Sequence, residues 1–167
     1  MLSTERRRRR PRTGGHVRVF LDNNALDRTD EPRSVLVDRF LELWNAGLEV
    51  IKPHGVVREA QHPNTPPEVA NLMVSGIFTV PTGLNSDEVR LRRAIATVLQ
   101  GNANPGRHAA DADHLAEASK YGASHFITHD RRILGMAAAL RVLCHQVQIA
   151  TLEQFMTDHG QPLDSEE

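Results

Sequence analysis

The 167-residue chain has one cysteine, Cys144, and few aromatic residues: five Phe, one Trp and one Tyr. A lone cysteine cannot close an internal disulfide, so a reducing, cytoplasmic setting is expected. Scarce aromatics weigh against the RNA-binding modules that stack bases on exposed rings. No apolar run reaches the roughly 18 residues of a membrane span, so no membrane partner is expected. The early arginines are followed by no apolar stretch, so no secretory signal is expected either. An excess of one charge is also lacking. The 20 basic and 21 acidic residues leave a net charge of −1, which excludes a uniformly basic nucleic-acid coat.

The charge is unevenly placed. Residues 1–12 hold six arginines (Arg6 to Arg10, and Arg12) against Glu5. This +5 segment leaves the other 155 residues at −6. With Pro11 and Gly14-Gly15, residues 1–15 read as a disordered arginine-rich arm. The arm reads equally as a grip on RNA phosphates or as an inert overhang. Residues 16–158 read as one domain, and 159–167 as a disordered acidic tail. Basic residues are nearly all arginine, with Lys52 and Lys120 the two lysines; we read this as a coding bias without chemical meaning.

Within the body, strand and helix patterns alternate. Strands are expected at 17–21, 48–52, 77–80, 124–127 and 146–150. Helices are expected at 33–46, 54–61, 66–75, 86–100, 108–121, 131–140 and from Thr151 onward. Asn85 and Glu88 have capping-box spacing at the start of the 86–100 helix, and Gly101 supplies its stop. Strands separated by helices imply an α/β fold, with a central parallel sheet in a three-layer α/β/α sandwich. In such sheets ligands bind beyond the carboxyl ends of the strands.

Four carboxylates fall near that edge. Asp22 ends the first strand, Glu59 follows the second, Asp111 sits in the first turn of the 108–121 helix, and Asp130 follows the 124–127 strand. Gathered carboxylates repel, and a divalent cation removes that penalty. Oxygen-only ligands suit Mg2+ or Mn2+ better than zinc. Such a cation polarises a phosphoryl oxygen and activates water, which is nuclease chemistry. The nine histidines include no HExxH and no paired Cys/His spacing that would argue for zinc.

These segments resemble the PIN-domain family, whose small bacterial members include VapC-type toxin ribonucleases. Val19-Phe20-Leu21-Asp22-Asn23-Asn24-Ala25-Leu26 is similar to the opening motif, and Val56-Val57-Arg58-Glu59-Ala60 to the second. Asp111-Ala112-Asp113-His114-Leu115-Ala116 resembles the third motif, and Gly122-Ala123-Ser124-His125-Phe126-Ile127-Thr128-His129-Asp130 the fourth. The closing 147–155 segment resembles the family's last strand and helix. The likeness spans residues 17–157. It implies Mg2+- or Mn2+-dependent hydrolysis of RNA by Asp22, Glu59, Asp111 and Asp130. It also implies that Asn24 and Thr128 steady the first and last acids, that a cognate antitoxin protein binds the chain, and that a homodimer forms.

Several alternatives stay open. Asp113 competes with Asp111, but two residues apart on a helix they point to opposite sides. The Asp-x-x-His spacing and the helix dipole favour Asp111. His114 can meet a phosphate or pack against a strand, and Arg107, Arg131 and Arg132 are candidates for phosphate contact. The rival function is a non-catalytic RNA- or protein-binding module on the same fold. A nucleotide-binding domain is disfavoured, because Gly14-Gly15 precede the first strand where a phosphate loop would follow it.

Overall fold

A computed structural model of the chain describes residues 16–52 and 84–160, together with positions 63, 67, 77 and 78. The arginine-rich arm, Glu59, the helix expected at 54–61, most of the segment 66–75 and residues 161–167 lie outside the described residues.

The fold is α/β, with an all-parallel sheet flanked by helices. Its strands are β1 (Arg18–Leu21), β2 (Glu49–Lys52), β3 (Ile77–Phe78), β4 (His125–Ile127) and β5 (Gln148–Ala150). Four of them form the body of the sheet in the order β2-β1-β4-β5, and the two-residue β3 extends it beyond β2. Val19 of β1 pairs with Val50 on one side and His125 on the other.

The helices are α1 (Glu31–Asn45), α2 (Ser86–Gln100), α3 (Ala109–Lys120), α4 (Arg131–Gly135), α5 (Ala137–Leu143) and α6 (Leu152–His159). The alternation of side chains along β1 sorts them into layers. Val19 and Leu21 point to one face and pack with Val37 and Phe40 of α1 and Leu152 and Phe155 of α6. Phe20 points to the other face and meets Ile95 and Leu99 of α2, Leu115 of α3 and Leu140 of α5. Phe20 also stacks on Phe126 of β4, with ring centroids 6.4 Å apart. All the central residues of β1 are therefore buried, as a strand covered on both faces requires.

Local signals account for the helix ends. Asp30 caps α1, its carboxylate accepting the Arg33 N–H at 2.8 Å. Asn85 and Glu88 form the reciprocal cap of α2, and Gly101 closes it with a φ of +47°. Thr151 caps α6, and Gln154 returns a bond to the Thr151 N–H at 2.9 Å. One expectation changes. The single helix expected at 131–140 is two helices, α4 and α5, parted at Met136. Gly135, a poor helix former, sits at the break. Among the described residues no helix is long and apolar enough to cross a membrane.

Candidate functional site

Asp22 stands one residue beyond β1, and the sheet ladder still holds it there: its N–H donates to the Ile127 carbonyl at 3.0 Å. Its side chain then caps a 3-10 turn over Asn23–Leu26, with Oδ1 accepting the Asn23 N–H at 2.9 Å. The buried Thr128 hydroxyl donates to Oδ2 at 2.6 Å, and His114 Nδ1 of α3 lies 3.7 Å from Oδ1. Asp22 is only 6% exposed. Burial pushes its pKa up, but His114, Thr128 and the Asn23 N–H outweigh it, and the carboxyl titrates below its usual range.

Thr128 ties the last acid to the first. Its Oγ1 accepts the Asp130 N–H at 3.0 Å while donating to Asp22. Asn24 completes the tie, its side-chain oxygen accepting the His129 N–H at 2.9 Å. Asp130 caps α4 through bonds from the Arg132 and Ile133 N–H groups at 2.7 and 3.2 Å. The loop 128–130 is thus held at the carboxyl end of β4 beside the exit of β1.

Asp111 enters from above, in the first turn of α3. Its Oδ2 lies 3.2 Å from His108 Nδ1. Its pKa is nevertheless raised. Burial is the largest cause, opposed by the His108 bond and reinforced by the negative charges of Asp22 and Asp130. Asp113 is placed differently: its carboxylate pairs with Arg92 of α2. Of the two neighbouring acids, it is Asp111 that feels Asp22 and Asp130. Glu59 lies outside the described residues.

Three carboxylates therefore share the carboxyl edge of the sheet closely enough to interact. They are not drawn into a finished cage: among the described residues no three His, Cys, Asp or Glu side chains converge as a metal-holding group. The donor set is all oxygen, and one of its members, Asp111, is raised by burial first and by the like charges of Asp22 and Asp130 second. Both features fit a hard divalent cation, which neutralises that repulsion.

Sequence reasoning passed over Arg33. It is 8% exposed, and its guanidinium donates to the carbonyls of Asp27 at 2.5 Å and Ala25 at 2.9 Å and to Glu153 Oε1 at 2.7 Å. It also approaches His129 Nδ1 at 3.3 Å. The arginine thus clasps the far end of the 3-10 turn that Asp22 begins, and joins it to α6 and to the 128–130 loop. A signal was available: Arg33 shares the helical face of Val37 and Phe40, a charge on an apolar stripe. It borders a cleft of about 550 Å3 lined also by Asn24, Asp27, Asp30, His129 and Glu153. Burial and the Arg33 charge hold the His129 ring below its usual pKa, against the pull of Glu153 and Asp27.

Arg132 needs correcting as a phosphate contact. Its Nε and one terminal nitrogen donate to the Leu99 and Gln100 carbonyls at 2.5 and 2.6 Å, capping the end of α2. Arg107 and Arg131 are exposed. Cys144 is buried, which pushes its thiol up to about 11 and makes it unreactive.

No family model, curated protein or solved structure matches the chain.

Proposed function

We propose that the chain is a PIN-like ribonuclease dependent on Mg2+ or Mn2+. The observation that carries this reading is the tie through Thr128 that sets Asp22 and Asp130 side by side at the carboxyl edge of a parallel sheet, with Asp111 of α3 near enough to feel both charges. Asp22, Asp111 and Asp130 would hold the cation, together with Glu59. When bound, such an ion supplies charge stabilisation at a phosphoryl oxygen and lowers the pKa of a water.

The chain's own residues do the rest. Thr128 and Asn24 keep the first and last acids in a fixed relation. His114 lies beside Asp22 and helps keep it ionised. Arg107 and Arg131 are free to meet the phosphates of an incoming single strand. On the same reading the protein partner is a cognate antitoxin, and expressing the wild type, but not Asp22→Asn, arrests growth.

The test uses tag-free protein, a single-stranded RNA and Mn2+. Cleavage is expected, abolished by chelator and reduced about 1,000-fold or more by Asp22→Asn, a loss of about 4 kcal/mol in transition-state stabilisation. Asn keeps the cap of the 3-10 turn, so circular dichroism stays unchanged. Cleavage that survives in Asp22→Asn overturns the reading. A specific observation favours a second one: Asp22 and Asp130 both cap local structure, so each has work without a metal. RNA binding with neither cleavage nor Mn2+ uptake establishes that non-catalytic module instead.

A further inference from the structure

The amino end of the sheet carries a second cluster, remote in the strand from the acids. His125 is the first residue of β4, nearly buried, and its ring packs edge-on against Phe155 of α6 with centroids 5.1 Å apart. His159, the exposed last residue of α6, lies against both: its centroid is 4.8 Å from each ring. The two imidazoles meet nitrogen to nitrogen, with His125 Nε2 and His159 Nε2 3.3 Å apart.

The other nitrogen of His125 is anchored. Its Nδ1 lies 2.9 Å from Ser124 Oγ. That hydroxyl can receive an Nδ1–H because its own proton has an acceptor, the Arg18 carbonyl at 3.0 Å. A histidine whose outer N–H is given to a fixed oxygen presents its remaining nitrogen as a lone pair in a set direction, the arrangement found behind metal-ligating histidines. Burial, helped by His159 and opposed by Asp158, pushes His125 down to about 4. At neutral pH the ring is uncharged, the form that ligates.

The 3.3 Å gap has a second meaning besides a shared proton. Two nitrogens bound at about 2.0 Å to a tetrahedral ion stand about 3.3 Å apart. We propose that His125 and His159 form a two-imidazole site for a borderline transition ion such as Zn2+, which takes the place of the proton between them. Imidazole donors exclude Mg2+ and disfavour Mn2+, so the site is distinct in chemistry from the acids. Two features favour positive charge there. His159 lies in the last turn of α6, where the helix dipole is negative. The Asp158 carboxylate acts on His125 through space. Among the described residues no third His, Cys, Asp or Glu closes the site. The bound ion pins the end of α6 to the sheet.

Tag-free, full-length protein freed of metal by chelator is titrated with Zn2+ in a calorimeter, and with Co2+ followed by its visible spectrum. One equivalent is expected to bind at micromolar concentration, with the intense visible bands of a tetrahedral Co2+ site. His159 is exposed, so His159→Gln folds normally, and it is expected to weaken Zn2+ at least 10-fold. Asp22→Asn is expected to bind Zn2+ as the wild type does, which separates this site from the acids. Wild type that takes up no Zn2+ at 100-fold higher concentration, or His159→Gln that keeps wild-type affinity, overturns the proposal.

Discussion

The two ends of β1 handle charge in opposite ways. At the amino end, Arg18 and Glu49 are register partners on neighbouring strands. Their side chains pair at 2.6 Å, and His16 meets the second carboxylate oxygen at 2.6 Å. Burial pushes Glu49 up, but Arg18 and His16 more than offset it, and its carboxyl is held below the usual range. At the carboxyl end, burial and the two like charges of Asp22 and Asp130 together outweigh the His108 bond, and the Asp111 carboxyl is raised. Arg33, the buried arginine there among the described residues, is turned onto the carbonyls of Ala25 and Asp27 and onto Glu153. Acid that is matched in register is structure. Acid that is partly buried beside two like charges, as Asp111 is, is held at a cost that a ligand can relieve.

The comparison breaks first if Arg33 is removed. Arg33→Met strips donors from the Asn24, Ala25 and Asp27 carbonyls and removes the nearer of the two basic neighbours of the Glu153 carboxylate, leaving His129 at 3.5 Å. A loss of about 3 kcal/mol is expected, seen as a fall in Tm of about 6–12 °C. Arg33→Lys recovers less than half of it, because an ammonium cannot reproduce the planar fork that reaches α6 and the turn together. Denaturant titration of both variants checks the order.

Thr128→Val comes next. It keeps the shape of a fully buried side chain but removes the hydrogen bond to the Asp22 carboxylate. About 2 kcal/mol is expected at neutral pH. The sign of its pH dependence follows from Asp22. A carboxyl depressed in the folded state contributes stability that is present above its unfolded pKa, near 4, and lost as pH falls through the folded value. Thr128→Val brings the folded pKa of Asp22 back toward the unfolded one. Its penalty is therefore largest near pH 7 and shrinks as the pH falls through the depressed folded-state value of Asp22, which unfolding curves at several pH values read directly.

Asp111→Asn has the opposite sign. A carboxyl raised in the folded state destabilises once it ionises, so replacing it with a neutral amide is expected to raise Tm by about 2–4 °C at pH 7 without metal. The gain disappears in acid, where the wild-type carboxyl is protonated. Millimolar Mn2+ reverses the ranking, because the wild type gains from binding and the variant does not. A metal-free Tm that falls instead means that the His108 contact outweighs the repulsion.

How far the residues announced this architecture depends on range. Signals local in the chain were legible. The Asn85–Glu88 box, Gly101 and the alternation of Val19, Phe20 and Leu21 are statements about a few consecutive residues, and the α/β layering follows from them. The three described acids were legible as an order along the chain, since a parallel sheet brings every strand exit to one edge. What stayed hidden depends on long-range partners. Arg132 looks like a surface cation until the end of α2 is placed beside it. His159 looks like a solvated helix end until α6 lies over β4. Helix 131–140 divided because the helical periodicity continues past 135 while the glycine there weakens the backbone.

The smallest effect is expected at the matched end. Glu49→Gln removes a carboxylate that is about a quarter exposed and shared between Arg18, itself partly exposed, and the exposed His16. Solvent and salt screen such a pair, and Arg18 keeps a hydrogen bond to the Tyr121 carbonyl at 2.8 Å whether or not Glu49 is charged. The fall in Tm is expected to stay under about 2 °C and to vanish in 1 M NaCl, while RNA cleavage with Mn2+ is unchanged. A loss of cleavage in Glu49→Gln at unchanged stability would mean that the two ends are coupled through β1, and that matched and unmatched charge are not the separate devices their geometry describes.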